Sequence, residues 1–417
     1  MSIPILYLYP ILYIYACLKG SHPWVTTSLM PLFVYCYTMD RVRFGVIGCG
    51  NAASFHVLPF KKLEASKVHY VAAFDIDEKT VVTFSKRHGL TPYTDIDEFL
   101  KSDIDAVLIA APHFLHAKLT KAAAEAGKHV LCEKPMATTL EECDEMILAT
   151  KGAGVKLMVA ENHRFLPAHK LIKDALDRGL IGDVFLGRSY EGAFCPHEQF
   201  LNLNSWHFTY KKGGGGVVAD QGVHKFSTLN WMLGEVDTVQ CWLGKALNSP
   251  PAKGEDTAIV LLRYKQGAMV TVDLSSITVH PLTNRLELHG TQGSILEDHA
   301  WERPVQIFSS HEAAEQKGAF YSPEVEHGPY PKYYLISARC EDTHFAESII
   351  NGTDPEFTPD QARAAVGVVL LAYLSAKEKR AVAAEELEEV EQTQGTRSIL
   401  EGLGKVTQHN YGSLRWK

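Results

Sequence analysis

Arg43-Phe44-Gly45-Val46-Ile47-Gly48-Cys49-Gly50-Asn51-Ala52-Ala53 is the stretch on which the fold of this chain turns. Arg43 to Ile47 reads as a buried strand, and a helix is predicted from Ala52 to about Leu63. Between them, Gly48 to Ala53 fits G-x-G-x-x-A. The first glycine permits a tight turn, the second lets backbone approach a pyrophosphate, and the helix N-terminus attracts that anion. The pattern alone is common; its position between a strand and a helix gives it weight.

Outward from this loop, apolar runs alternate with helical periodicity. Strands are predicted at Val68 to Phe74, Ala106 to Ala110, Lys128 to Cys132 and Val155 to Ala160. Helices are predicted at Glu78 to His88, His116 to Ala126 and Leu140 to Lys151. This alternation predicts a doubly wound parallel sheet, a Rossmann domain over residues 39–162. After about His163 the rhythm changes. One helix, Ala168 to Arg178, precedes strands at Val184 to Glu191, Val236 to Leu243, Ala258 to Tyr264, Ala268 to Leu274, Arg285 to Leu288 and Ser294 to Leu296. Lys265-Gln266-Gly267 and Gly290-Thr291-Gln292-Gly293 read as turns. The fold class is therefore α/β, with a C-terminal, mostly antiparallel α+β domain over residues 163–358. Residues 310–335 read as a loop, Pro359 to Ala383 as a long helix, and the acidic tail 384–417 as a solvated segment.

Residues 1–38 do not match the rest. Ile3 to Cys17 is apolar and Tyr-rich, shorter than the roughly 20 residues a membrane span needs. No Lys or Arg precedes it as a signal peptide would require. This extension is expected to lie outside the fold.

Three further features carry chemistry. Asp75 ends the second strand, 27 positions after Gly48. An acid there accepts hydrogen bonds from ribose hydroxyls and repels a 2′-phosphate, so NAD is expected, with NADP still open because Lys79, Lys86 and Arg87 follow. Glu133-Lys134-Pro135 follows the fourth strand, and ligands bind beyond the carboxyl ends of such strands. Gly213 to Gly216 leads into Val217-Val218-Ala219-Asp220-Gln221-Gly222-Val223-His224. Four glycines predict a flexible or close-approach turn. Asp220 and His224, four apart, share a helix face, and a carboxylate beside a His can orient or tune it as a proton acceptor. Each feature also has an ordinary reading: a helix-capping Asp, a surface Lys, a solvated ion pair. Arg164, Tyr190, Glu191, His197, Trp206 and His207 are further pocket candidates.

Taken together, these features resemble the Gfo/Idh/MocA oxidoreductases, the family of glucose–fructose oxidoreductase and inositol dehydrogenase. The match rests on Gly48/Gly50/Ala53, Asp75, Glu133-Lys134-Pro135 and Gly214-Gly215-Gly216-x-x-x-Asp220-x-Gly222-x-His224, with Asn162-His163-Arg164-Phe165 and Gly290-Thr291-x-Gly293 in support. It spans about Arg43 to Ala383. The resemblance implies an open second sheet used for dimer or tetramer contacts, and a helix at residues 359–383 packed back on the Rossmann domain. It implies NAD held by Gly48, Cys49, Gly50, Asn51, Ala52 and Asp75, with Pro112, His113, His116, Glu133 and Lys134 toward the nicotinamide. It implies that Lys134 contacts the reacting hydroxyl, Asp220 orients substrate and His224 takes the proton, with Arg164 and Trp206 as substrate contacts. One departure stands out: the family often has Thr-Pro-Asn where this chain has Ala111-Pro112-His113, which leaves the role of His113 open.

The bulk numbers agree with a small-molecule enzyme. Apolar residues make up 46% and charged residues 22%, and the formal net charge is −8. That charge offers no footprint for nucleic acid. Eight scattered cysteines, with no C-x-x-C pair, give no zinc spacing and suit a reducing compartment such as the cytoplasm. No metal site is expected. A sugar, cyclitol or sugar-acid dehydrogenase ranks first. An NAD-dependent, redox-assisted glycoside hydrolase ranks second, and a non-catalytic dinucleotide-binding sensor third.

Overall fold

β1 (Val42–Ile47) is a strand because Val42, Phe44, Val46 and Ile47 are all essentially inaccessible, while Gly45 between them makes room for the Phe99 ring. It starts the core of a computed structural model that describes residues 40–406, apart from 62, 64–65, 194, 196–200, 248, 251 and 280–282. The expected extension at residues 1–38 and the candidate His197 lie outside the described residues. α1 (Asn51–Val57) follows the glycine loop. It is shorter than its sequence predicts, because Pro59 lacks the N–H needed to continue and the chain tightens into a 3₁₀ turn over Leu58–Phe60.

The next elements are β2 (Val68–Phe74), α2 (Glu78–His88), β3 (Thr91–Tyr93), α3 (Ile96–Lys101), β4 (Ala106–Ile109), α4 (His116–Glu125), β5 (His129–Glu133), α5 (Leu140–Ala153) and β6 (Leu157–Ala160). The six strands pair in the order β3-β2-β1-β4-β5-β6, all parallel. β3, which sequence patterning misses, is three residues with Pro92 in the middle, tolerable only on a sheet edge. The strand order reverses between β1 and β4. In an open parallel sheet that reversal opens a crevice beyond the strand carboxyl ends.

The second half runs α6 (Pro167–Asp177), β7 (Val184–Gly192), α7 (Val223–Leu233), β8 (Val236–Gly244), β9 (Thr257–Tyr264), β10 (Met269–Ser275), β11 (Thr283–Gly290), β12 (Gly293–Asp298), β13 (Val305–Ser309) and β14 (Phe320–Tyr321). Then come α8 (Lys332–Asn351), α9 (Pro359–Glu378), β15 (Val382–Ala383), α10 (Ala384–Thr393), α11 (Arg397–Leu400) and α12 (Leu403–Val406). The nine-stranded sheet has the order β14-β13-β12-β11-β7-β10-β9-β8-β15, antiparallel except where β10 meets β7. Its strands alternate: Ala258, Val260, Leu262 and Tyr264 of β9 face the core. Trp242, Ile259, Leu261 and Met269 stand exposed on neighbouring strands of the opposite face.

Three further departures from the expected elements stand in the second half. α8 was not read from the sequence, because its inward face carries Glu341 and Asp342, both fully buried, and these interrupt the apolar stripe. The stretch after Val382 was expected to be solvated. Instead Val382 pairs with Val239 as β15, and Leu387, Ile399, Leu400 and Leu403 are buried. Thr396 anchors it, donating from its backbone N (2.6 Å) and its Oγ1 (2.5 Å) to the Glu141 carboxylate of α5. α9 ends at Lys379, in the left-handed region at φ 57°, rather than running to Ala383. Among the described residues, no helix is long and apolar enough to cross a membrane.

Candidate active site

At the crevice, Gly48 has φ +92°, and a Cβ on it would lie 2.6 Å from the Ala110 carbonyl oxygen. Glycine is therefore required there by the turn and by the β1–β4 approach. Gly50 is different: it is exposed, and a Cβ on it would meet nothing within 4 Å. The fold leaves space there of the kind a close-approaching ligand needs. The Cys49 backbone N–H donates to Asp75 Oδ2 at 3.0 Å, which seats the strand-end acid against the glycine loop. Burial, with Asp75 nearby, pushes the Cys49 thiol up to about 12, so it stays protonated. Asn51 and Ala52 open α1, and Pro112 stands at the carboxyl end of β4. Glycine loop, strand-end acid and helix start thus fit a dinucleotide.

The Glu133-Lys134-Pro135 corner, with a cis Lys134–Pro135 bond, is held from two sides. His56 of α1 lies between Glu133 Oε1 (3.1 Å) and Asp342 Oδ1 (2.7 Å), and Tyr70 OH donates to Asp342 Oδ2 at 2.7 Å. Burial alone would lower the His56 pKa, but Asp342 and Glu133 outweigh it and hold the ring well above the usual histidine range. An imidazolium clamped by two carboxylates therefore joins α1, β5 and α8. On the other side, His116 points its two ring nitrogens at the carbonyls of Pro135 and Ala111, each at 2.9 Å, with no exposed surface. Sequence reading set His116 and Glu133 toward the cofactor. In the structure His116 has no accessible atom to offer a ligand, and Glu133 is engaged by His56 and by the Lys134 backbone N–H. Both side chains position the corner.

Lys134 itself reaches across the crevice. Its Nζ donates to both the backbone O and the Oδ1 of Asp220, each at 2.8 Å. Burial would raise Asp220, but the ammonium holds it down at about 2. Burial would lower Lys134, and Asp220 with Glu133 more than offsets this. The pair is thus ionised at any working pH.

The glycine run explains how Asp220 arrives there. A Cβ on Gly216 would lie 2.0 Å from the Glu255 carbonyl oxygen, so the run is a close approach rather than a flexible hinge. The Val218 N–H donates to Glu255 Oε1 at 3.0 Å, and Tyr373 OH donates to the same oxygen at 2.8 Å. Val218–Gly222 then forms a π-helical turn before α7.

His224 follows that turn and is buried. The carboxylate that orients it is not Asp220, as its spacing suggested, but Glu161, whose Oε1 is 2.5 Å from His224 Nδ1. The wider π turn carries Asp220 to Lys134 and leaves His224 facing the end of β6. Glu161 was missed in the sequence. Its signal was position, immediately after the last strand of the parallel sheet and before Asn162-His163-Arg164-Phe165. The His163 ring stacks on His224 at 4.2 Å, and burial, with His224 and Lys225 nearby, pushes its pKa well down.

The remaining candidates divide. His113 Nδ1 donates to the Gly213 carbonyl at 2.8 Å, and burial keeps the ring neutral, at about 3. Its ring meets Trp206 edge-on at 4.6 Å, and Trp206 stacks on His207 at 3.8 Å, so all three gather beside the glycine run. Arg164 goes elsewhere: its guanidinium is buried 4.8 Å from the Trp231 ring and 4.5 Å from that of Phe357, and burial lowers its pKa to about 10. Arg164, expected as a substrate contact, thus sits packed between two aromatic rings. Glu191 is buried 3.7 Å from Lys225, behind His224, and Tyr190 lies under Arg285.

Comparison with known proteins agrees with this architecture. Residues 42–161 match the model of an oxidoreductase family with an NAD-binding Rossmann fold, and residues 169–296 match a GFO/IDH/MocA C-terminal domain. The uncharacterized oxidoreductase YrbE of Bacillus subtilis (strain 168) is 30% identical over 326 residues, covering 76% of this chain and 88% of that protein. The myo-inositol 2-dehydrogenase of Thermotoga maritima is 28% identical, covering 83% of this chain and 99% of its own. Among solved structures, a probable dehydrogenase from Thermotoga maritima has a TM-score of 0.69 at 28% identity, covering 83% of this chain and all of that one. Levoglucosan dehydrogenase in complex with NADH and levoglucosan shares the fold, with a TM-score of 0.74 at 24% identity over 82% of this chain and 99% of its own. The chain belongs to the Gfo/Idh/MocA oxidoreductases, and its cofactor domain is an NAD-binding Rossmann fold.

Proposed function

We propose that this protein is a dehydrogenase that transfers a hydride between NAD(H) and a secondary hydroxyl, or its carbonyl, on a sugar, cyclitol or sugar acid. The observation that carries the reading is the Lys134–Asp220 pair, formed between the carboxyl end of a Rossmann strand and the turn before His224. NAD, held by the Gly48–Ala52 loop and Asp75, supplies the hydride acceptor when bound. The chain's own residues supply charge and proton handling. Lys134 donates a hydrogen bond to the reacting oxygen and stabilises alkoxide charge as it develops, while Asp220 holds the ammonium in place. Glu161 accepts from His224 Nδ1–H, which leaves Nε2 as the lone pair that takes the hydroxyl proton. The relatives' names point to sugar-like substrates, levoglucosan and myo-inositol among them.

The reading is tested with a panel of sugars, inositols and uronates against NAD⁺ and NADP⁺. Turnover of at least one polyol with NAD⁺ is expected, faster than with NADP⁺, because Asp75 faces the loop. Faster turnover with NADP⁺ would overturn the cofactor preference; tightly co-purifying NAD with cleavage of an aryl glycoside would instead favour the hydrolase.

The glycine loop has its own test. In Gly50→Ala the added methyl meets no protein atom, so stability should change by under ~0.5 kcal/mol. The same methyl projects where the pyrophosphate would approach, so NADH affinity, read by nucleotide fluorescence, should fall at least ~10-fold. Unchanged affinity would move the cofactor away from this loop.

A further inference from the structure

Behind the active site lies a second cluster that the proposed reaction does not use. His169 of α6, Glu297 of β12 and His299 just after β12 are each more than nine-tenths buried. One atom from each lies within 4.8 Å of the others. His169 Nε2 is 3.0 Å from Glu297 Oε1, and His299 Nε2 is 2.5 Å from the same oxygen.

The proton positions make this arrangement informative. His169 Nδ1 is 2.7 Å from the His163 carbonyl oxygen, which can only accept, so Nδ1 carries a hydrogen. In a neutral imidazole, Nε2 is then a bare lone pair, and it faces a carboxylate oxygen. Glu297 Oε2 is buried without a hydrogen-bond partner, and buried His169 Nε2 has nothing to meet but Glu297 Oε1, at 3.0 Å. Buried polar groups normally find partners, and an unmatched cluster signals something that sits between them. A histidine whose Nδ1–H is fixed by a backbone carbonyl and whose Nε2 is left open is the usual metal-ligand geometry.

We propose that His169, Glu297 and His299 bind a borderline divalent cation, with Zn²⁺ the best match. Two imidazole nitrogens and one carboxylate suit zinc, and either Glu297 Oε2 or a water completes the set. His299 also lines a cavity of about 850 Å³, shared with Arg285, Trp301, His327 and Tyr333, which provides an entry path. The cation ties α6 to the end of β12. Because His169 holds the His163 carbonyl and His163 stacks on His224, it also braces the ring behind the candidate base. This departs from the expectation of no metal site drawn from cysteine spacing, since the ligands are histidines 130 positions apart in the chain.

Zinc content decides it. Protein produced in zinc-supplemented medium and gel-filtered should carry about one zinc per chain by plasma emission spectrometry. Glu297→Gln and His299→Ala should each lose at least ~10-fold of that content. Lys134→Ala and His224→Ala should keep it, which separates this site from the catalytic assignment. Chelator-stripped wild-type protein titrated with Co²⁺ should develop visible d–d absorption, a readout that does not require any variant to fold. Wild-type protein without stoichiometric zinc and without cobalt bands would overturn the proposal and leave two histidines hydrogen-bonded to one carboxylate. Variants that hold as much zinc as wild type would overturn it equally.

Discussion

Lys134→Ala should lose turnover by at least ~10²–10³-fold while still binding NADH. The ammonium is the cation aimed from the sheet edge, held at 2.8 Å by two Asp220 oxygens. A donor aimed at charge that develops only in the transition state affects kcat and kcat/KM together, so both should fall in parallel. A merely structural lysine would instead alter KM or stability. The substitution also removes the charge that holds Asp220 down at about 2, and with burial now unopposed that carboxyl shifts upward. The variant's pH profile should therefore change on the acidic side, where the wild-type pair is still ionised. His224→Ala should show a loss of the same order, with NADH binding again retained. Near-wild-type turnover in either variant, measured on any substrate the panel finds, would remove that residue from the mechanism.

His56→Ala should destabilise the fold by about 3–5 kcal/mol, the range for breaking a buried ion pair. It leaves Asp342 and Glu133 without their shared cation, close to Glu341, whose carboxyl burial already pushes well up. Urea unfolding at neutral pH measures it; a loss under ~1 kcal/mol would mean the ring is not charged in the fold. The pH dependence has a definite sign. The folded pKa of His56 lies above the unfolded value of about 6.5, so the folded state binds more protons between the two. The contribution is complete below the unfolded value and is lost as pH rises through the folded one. In that window wild-type stability should fall with pH more steeply than that of His56→Ala.

The Rossmann half was legible because its signals are local. An apolar strand, a glycine turn and a capped helix each lie within about a dozen residues, and periodicity reports burial on both faces. The second sheet was legible in β9 and β10 for the same reason. α8 escaped because its inward face carries carboxylates. The tail escaped because its few apolar positions acquire meaning only against α5 and α9.

By itself the sequence determined the residue types and their order: the loop at Gly48, the acid at Asp75, the cation at Lys134, and the glycine run before Asp220 and His224. Tertiary structure alone decided the pairing among them. Asp220 meets Lys134 and His224 meets Glu161 because a π turn, set by the close approach of Gly216 to Glu255, rotates two residues that ideal helical spacing would have placed side by side. Side-chain partners across 86 and 63 residues depend on how two sheets dock, and no periodicity within either one records that.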